Sequence, residues 1–362
     1  MLTYSVASFL SIFFAFILKN KRVWSGFFLS CLPLLLVAAL RQFVGTDYTS
    51  YYYNKIPIIL NNPIQLEFGF SLLAYFSVKV LGDYQWLIAV MACITCLCYW
   101  SFMFRYSKNV PLSILIFMAM GCYYFSLNAM RQSVAIAVFL FSLKYVEKRK
   151  IGPFLLCIFV GFSFHTSALL YIPFYWLVRV RVTNRLVIFV SFFLYVIYPV
   201  FSMVLYPIIL GKYASYFEWG AKSGFNWRYL LPLLGVILLD FRMNMEKKVQ
   251  ENPSNDKINI LRNLTIFSFW ACNLAPTLTG ASASRVILFF LPAVAAYFPC
   301  LLNDMRKLKL IVSACFLVIF FWTTNEGLGG ILPYHSVFSD YKITYRDYIY
   351  NIYHSDVVKF KD

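Results

Sequence analysis

The run Asn128-Ala-Met-Arg-Gln-Ser-Val-Ala-Ile-Ala137, the basic turn Lys148-Arg149-Lys150 and the run Gly161-Phe-Ser-Phe-His-Thr-Ser167 decide how this chain is read. The first puts Arg131 at the head of an apolar helix. The last sets His165 in one of the most apolar parts of the sequence. A guanidinium near the middle of a membrane costs roughly 2.5–3.5 kcal/mol on insertion scales, so such a residue points to a functional site. The competing readings are an arginine that snorkels to the interface and a histidine that packs with its ring hydrogen-bonded.

Outward from this stretch, apolar blocks recur from end to end. Of 362 residues, 61% are hydrophobic and 13% charged. Continuous apolar blocks, rather than short alternating strands, predict an all-α, polytopic integral membrane protein, because lipid offers the backbone no partner outside helices or closed barrels. No polar stretch is long enough to build a soluble core of its own. The chain is therefore read as one membrane domain, 1–323, with a periplasmic C-terminal tail, 324–362. A net charge of +17 would suggest nucleic acid in a soluble protein. Here most Lys and Arg lie in short loops, where they set topology, and no basic-aromatic RNA-binding pattern occurs. Cys93, Cys96 and Cys98 lie in a predicted membrane helix without histidine partners, so no metal site is expected there. Leu2–Leu18 has no basic residue before it and reads as a retained first helix rather than a signal peptide.

Twelve spans are expected. The first five are Leu2–Leu18, Trp24–Leu40, Gln85–Phe104, Pro111–Leu127 and Gln132–Val146. Two short helices within Ile151–Val178, broken near His165, follow. The last five are Leu186–Leu210, Tyr229–Phe241, Leu264–Ala275, Val286–Leu302 and Leu310–Thr323. Gln65–Leu81 is read as a helix along the outer surface, since counting it as a span spoils the later charge bias. Ile151–Val178 would make roughly 42 Å of helix, enough for one tilted span. One span, however, would send Arg179, Arg181, Arg185 and the basic stretch Arg242–Arg262 outside, and a hairpin keeps them inside. This layout puts most of the 32 Lys and Arg on the inner face.

The same layout sends Arg41, Asp47, Glu67, Arg131, His165 and Arg285 to the outer face. Three arginines suit a diphosphate, because the planar guanidinium pairs phosphate oxygens bidentately and never loses its charge. A helix starting near Thr166–Ser167 would aim its positive end at the same place. His165, Asp47 and Glu67 are candidate general bases for a hydroxyl acceptor. The plainer readings are loop solvation or helix capping for the two carboxylates, and interfacial anchoring for Arg41 and Arg285. No D-x-D pair occurs, which argues against metal-assisted handling of a nucleotide sugar, and no cofactor is expected. No G-x-S-x-G, H-E-x-x-H or Walker-type motif occurs either.

Arg41-Gln-Phe-Val-Gly-Thr-Asp-Tyr48 with Tyr51, Glu67-Phe-Gly-Phe70, Asn128–Ala137, Phe164-His-Thr-Ser-Ala-Leu169, Ser284-Arg-Val-Ile-Leu-Phe-Phe290 and Leu332-Pro-Tyr-His-Ser-Val-Phe338 together resemble the EpsG family. These are Wzy-like polysaccharide polymerases of bacterial inner membranes. The resemblance spans nearly the whole chain, in order. It implies polymerisation of lipid-linked oligosaccharide repeat units at the periplasmic face, for O-antigen, capsule or exopolysaccharide. On that reading the partners are undecaprenyl-diphosphate-linked donor and acceptor, with a chain-length regulator as a further partner. Two rivals stand beside it. A flippase would use the same arginines but needs a cavity that alternates between faces, and no internal repeat is evident. A membrane acyltransferase would use the lone histidine and leave the arginine trio unexplained.

Overall fold

A computed structural model describes residues 1–18, 23–62, 66–200, 227–251, 256–274, 285–327 and 330–339. Several sequence expectations lie outside them: the basic group Lys19, Lys21 and Arg22, the start of the surface helix at Gln65, most of the aromatic stretch 211–228, the 277–284 run before Arg285, and the tail beyond 339. The protein is all-helical, and among the described residues no strand forms; Arg41 and Ser336 make an isolated antiparallel bridge. Contacts divide the chain into two compact units, Met1–Tyr175 with Met305–Asp362, and Trp176–Asp304.

The helices are α1 (Leu2–Ile17), α2 (Val23–Ala39), α3 (Thr46–Ser50), α4 (Ile56–Asn61), α5 (Phe68–Tyr75), α6 (Gln85–Tyr106), α7 (Val110–Ala119), α8 (Cys122–Asn128), α9 (Met130–Glu147), α10 (Ile151–Phe164) and α11 (Phe174–Leu177). They continue with α12 (Asn184–Val200), α13 (Trp227–Arg242), α14 (Met245–Glu251), α15 (Asp256–Leu274), α16 (Pro292–Leu301) and α17 (Arg306–Asn325). Among the described residues, α6 and α17 are long and apolar enough to cross a membrane, and α7 with α8 would make a third span, bent by 56°. Gly121, in the left-handed conformation at φ 72°, ends α7 and makes that bend. Several other apolar helices have 10–17 residues, about 15–26 Å of rise, shorter than a hydrocarbon core of about 30 Å.

Two ends of the first unit can be told apart. At one end Arg105, closing α6, donates to Glu147, closing α9, at 2.9 Å from Nη2; Lys108, Lys148, Arg149 and Lys150 adjoin these helix ends in sequence. At the other end Gln85, opening α6, donates through Nε2 to the Arg41 carbonyl at 3.2 Å, and Arg131 opens α9. The chain from Ile151 climbs back as α10 and breaks at His165, whose backbone is extended at φ −157°, ψ 128°. A 3-10 turn, Thr166–Tyr171, then descends beside it. A Cβ built at Gly161 would sit 3.3 Å from the Ala168 Cβ, a contact that a continuous helix cannot make across that sequence gap. Lower down, Phe139 stacks on Tyr171 at 3.9 Å between centroids, and Phe154 meets Tyr175 at 5.1 Å. Ile151–Tyr175 is therefore a hairpin, with its return leg wound as a 3-10 turn rather than a regular helix.

Three further segments depart from expectation. The polar, aromatic stretch after Arg41 winds into α3, a π-helical turn Tyr51–Lys55 and α4, with Tyr48, Tyr51, Ile56 and Ile59 packed inward. Residues 330–339, assigned to a tail, are part of the first unit: Tyr4 donates to the Ile331 carbonyl and Tyr334 to the Val37 carbonyl. Arg262, read as a loop cation, lies within α15, which begins eight positions before the expected Leu264. Its guanidinium is buried in the second unit against Asp240 of α13, with Nε 3.0 Å from Oδ1. Tyr297 donates to the same carboxylate, and Arg262 Nη2 donates to Asn184 at 2.7 Å. Counting charge along the sequence misses this, because the neutralising aspartate comes from another helix.

Removing one member of a buried pair leaves an uncompensated charge. Asp240→Ala is expected to lower the unfolding free energy by about 3–5 kcal/mol, while Asp240→Leu with Arg262→Met recovers most of it. Thermal unfolding in detergent checks both; equal losses in the single and double variants would show that the pair is not what holds this unit.

Candidate functional site

Glu67 sits immediately before α5, with φ −57° and ψ 133°, so its side chain leaves the helix start rather than lying along it. Three donors from two other segments converge on this carboxylate. Arg131 Nη1, from the first turn of α9, donates to Oε2. His165 Nδ1 lies 3.1 Å from Oε1, and the Thr166 backbone N–H donates to the same oxygen at 3.4 Å. The guanidinium is fixed from its other side by Nε donating to the Tyr51 hydroxyl at 3.1 Å. The rings of Tyr51 and Phe70 lie 5.6 and 5.3 Å from its central carbon, a cation–π setting.

The close approach of α5 and α10 depends on Gly69. A Cβ there would lie 2.9 Å from the Ser163 Cβ and 3.0 Å from the Ser163 carbonyl oxygen, so any larger residue pushes Glu67 away from His165. Gly45 has a similar part in the neighbouring turn. Its φ of 98° is open to glycine, and a Cβ would sit 2.6 Å from Asn128 Oδ1. Its N–H donates to the Gly330 carbonyl at 2.9 Å. Five of the six sequence motifs therefore pack against one another in the first unit.

These contacts leave two side-chain nitrogens free to act. With Nδ1–H committed to a carboxylate, the His165 Nε2 lone pair can accept a proton; among the described residues Nε2 makes no hydrogen bond. Arg131 Nη2 is likewise without a hydrogen-bond partner among them. The side chains are 27% and 17% exposed, enough for a ligand to reach. Burial pulls the Glu67 carboxyl up, but the His165 hydrogen bond and the Arg131 charge outweigh it and hold the carboxyl at about 2. A carboxylate so acidic is a poor proton acceptor at neutral pH and a good fixed charge.

The other candidates are placed differently. Asp47 is half-buried in the first turn of α3, one turn before Tyr51. Arg41 is 2% exposed and held by its backbone against residues 335–337. Arg285 belongs to the second unit and opens a helical turn, 285–287. The 3-10 start at Thr166 aims its first amide at Glu67 rather than at open solvent. Tyr51, Phe70 and Gly69 were missed in the sequence. The Glu67-Phe-Gly-Phe70 run was the available signal, a glycine among bulky residues at a helix start.

The depressed carboxyl has a pH consequence. Held below its ordinary 4.5, Glu67 contributes stability that is complete above about pH 4.5 and is lost as pH falls towards 2. The difference in unfolding free energy between wild type and Glu67→Gln is expected to be on the order of 3 kcal/mol, level from pH 7 to 5 and shrinking below that. A difference independent of pH down to 3 would mean that Glu67 is not held as an ion.

The EpsG family profile matches residues 24–336. No curated protein and no solved structure matches the chain. The matched span takes in the whole Glu67 cluster together with Arg41, Asp47 and Arg285. The chain belongs to the EpsG family, a family of Wzy-like polysaccharide polymerases.

Proposed function

We propose that the protein polymerises undecaprenyl-diphosphate-linked oligosaccharide repeat units at the periplasmic face of a bacterial inner membrane, by metal-independent glycosyl transfer. The observation that carries this reading is the Glu67–His165–Arg131 cluster, which joins a prospective base to a prospective anion clamp through one carboxylate. A sugar hydroxyl of the incoming lipid-linked unit attacks the anomeric carbon of the growing glycan. The bond from that carbon to the lipid diphosphate breaks, and the diphosphate leaves with the electron pair. His165 Nε2 takes the hydroxyl proton, and the Glu67 carboxylate stabilises the imidazolium that results. Arg131 Nη2 meets the developing negative charge on the diphosphate, where an oriented donor is worth most.

Glu67 is the orienting residue on this reading, and Asp47 is the reserve base. Arg285, expected from its guanidinium chemistry to bind diphosphate as well, lies in the second unit. Arg41, also expected to bind diphosphate, is closed off by burial in the conformation described. Twelve spans with both arms of the 151–178 hairpin as short spans remain the topology we propose, and a chain-length regulator is a natural partner for such an enzyme.

The deciding experiment deletes the gene and examines the surface glycan. Collapse to a single repeat unit on its carrier is the expected result, and full-length polymer would overturn the proposal. In complemented cells at equal protein level, His165→Gln is expected to slow polymerisation by a hundredfold or more while lipid-linked substrate still binds. Arg131→Lys is expected to rescue poorly, since an ammonium lacks the fork that reaches Tyr51, Glu67 and phosphate together. Wild-type polymer length in His165→Gln would move the base to Asp47.

A further inference from the structure

Arg41 poses a problem that the polymerase reading leaves unsolved. Its main chain is held just beyond α2, where Gln42 N–H donates to the His335 carbonyl and Val337 N–H to the Leu40 carbonyl, each at 3.0 Å. The residue is 2% exposed. A guanidinium keeps its proton under any ordinary condition, so burial cannot neutralise it. Yet among the described residues no carboxylate pairs with it, its guanidinium makes no hydrogen bond, and its Nε is a buried donor without an acceptor. The ionisable groups around it are the hydroxyls of Tyr84, Tyr48, Tyr123, Tyr4 and Tyr334 and the Cys96 thiol, none of which is an anion at neutral pH. The Tyr84 hydroxyl is itself buried without a hydrogen-bond partner. An unpaired buried charge of this kind is strongly destabilising.

Arg41 also lines a cavity of about 10 Å³, with Thr95, Cys96 and Ser126 as its polar neighbours and Ala38, Met91 and Leu127 among the apolar ones. Thr95 is 5% exposed, and its hydroxyl makes no hydrogen bond among the described residues. The Ser126 hydroxyl is committed to the Tyr123 carbonyl at 2.6 Å. The cavity therefore presents one permanent positive charge and one spare hydroxyl donor, with room for about one water-sized sphere. A neutral water there would leave the charge standing. A diphosphate is too large for the space.

We infer that this cavity binds a single halide-sized anion, chloride where chloride is present, between the Arg41 guanidinium and the Thr95 hydroxyl. The ion neutralises the buried charge and so locks the 40–42 segment, α6 and residues 335–337 together. Its role is structural, and it stands or falls separately from the polymerase reading.

The test uses the full-length protein in detergent, with thermal unfolding followed at constant ionic strength. Chloride and bromide are expected to raise the melting temperature saturably over gluconate, because an ion that binds only the folded state stabilises it by mass action. Arg41→Met is expected to abolish the halide response. Should that variant fail to fold, Thr95→Val carries the test: the halide concentration at half-effect is expected to rise about tenfold, for one lost hydrogen bond to an ion. Bromide-soaked crystals should show anomalous density beside Arg41. A wild-type melting temperature indifferent to halide, a response unchanged in both variants, or inorganic pyrophosphate displacing bromide from the site would each overturn the inference, the last by making Arg41 a substrate ligand.

Discussion

The arrangement depends on the placing of one carboxylate. Glu67 receives Arg131, His165 and the Thr166 amide, which come from the start of one helix and the break of a hairpin. Arg131 cannot shed its proton, so its burial at a helix head is tolerable only beside a negative charge. Meeting that demand decides the rest. The segment before α5 must touch both α9 and α10, Gly69 must lack a side chain for it to come that close, and His165 must leave the helical path to turn its ring inward. A site built this way is rigid at Nδ1 and Nη1 and open at Nε2 and Nη2, the division that a base and an anion donor each require.

The two arginines at this end of the first unit illustrate how context divides one side chain into two uses. Arg131 has a carboxylate, a phenol and two aromatic faces, and it still keeps a nitrogen for a ligand. Arg41 has none of these protein partners and is more deeply buried. A charge that is already neutralised can turn to a substrate whose own charge changes during reaction. A charge that is not neutralised must first find its counter-ion, and the small cavity beside it limits what that can be.

Much of this was legible in the sequence, for identifiable reasons. The long apolar runs fixed α1, α2, α6 and α9 to within about two residues, since a hydrophobic block has few ways to be satisfied. The break at His165 followed from requiring Arg179, Arg181 and Arg185 to share a side with the later basic loop. The convergence of Glu67, Arg131 and His165 could be suspected from topology, but their roles could not be divided, because a carboxylate's acidity depends on neighbours distant in the chain. Arg262 misled for the same reason: Asp240 and Tyr297 lie on other helices. The π-helical turn at Tyr51–Lys55 was invisible too, since five consecutive aromatic and polar residues carry no clear period.

The helix ends provide an argument that charge counting did not use. Contacts in the first unit place the Arg41 turn, Glu67, the head of α9, the tip of α10 and residues 330–339 at one end. The Arg105–Glu147 pair and the basic turn after α9 lie at the other. Neither grouping was imposed by loop charge; both follow from side-chain and backbone hydrogen bonds. Yet the two partitions agree, with the basic residues at one end and the motif residues at the other. Had Ile151–Val178 been a single span, Tyr171 could not stack on Phe139 while Ala168 lies against Gly161. A membrane protein sorts its cations by side for reasons of insertion and gathers its reacting groups for reasons of chemistry. In this unit the basic turn and the Glu67 cluster lie at opposite ends, and the turn at His165 belongs to the cluster.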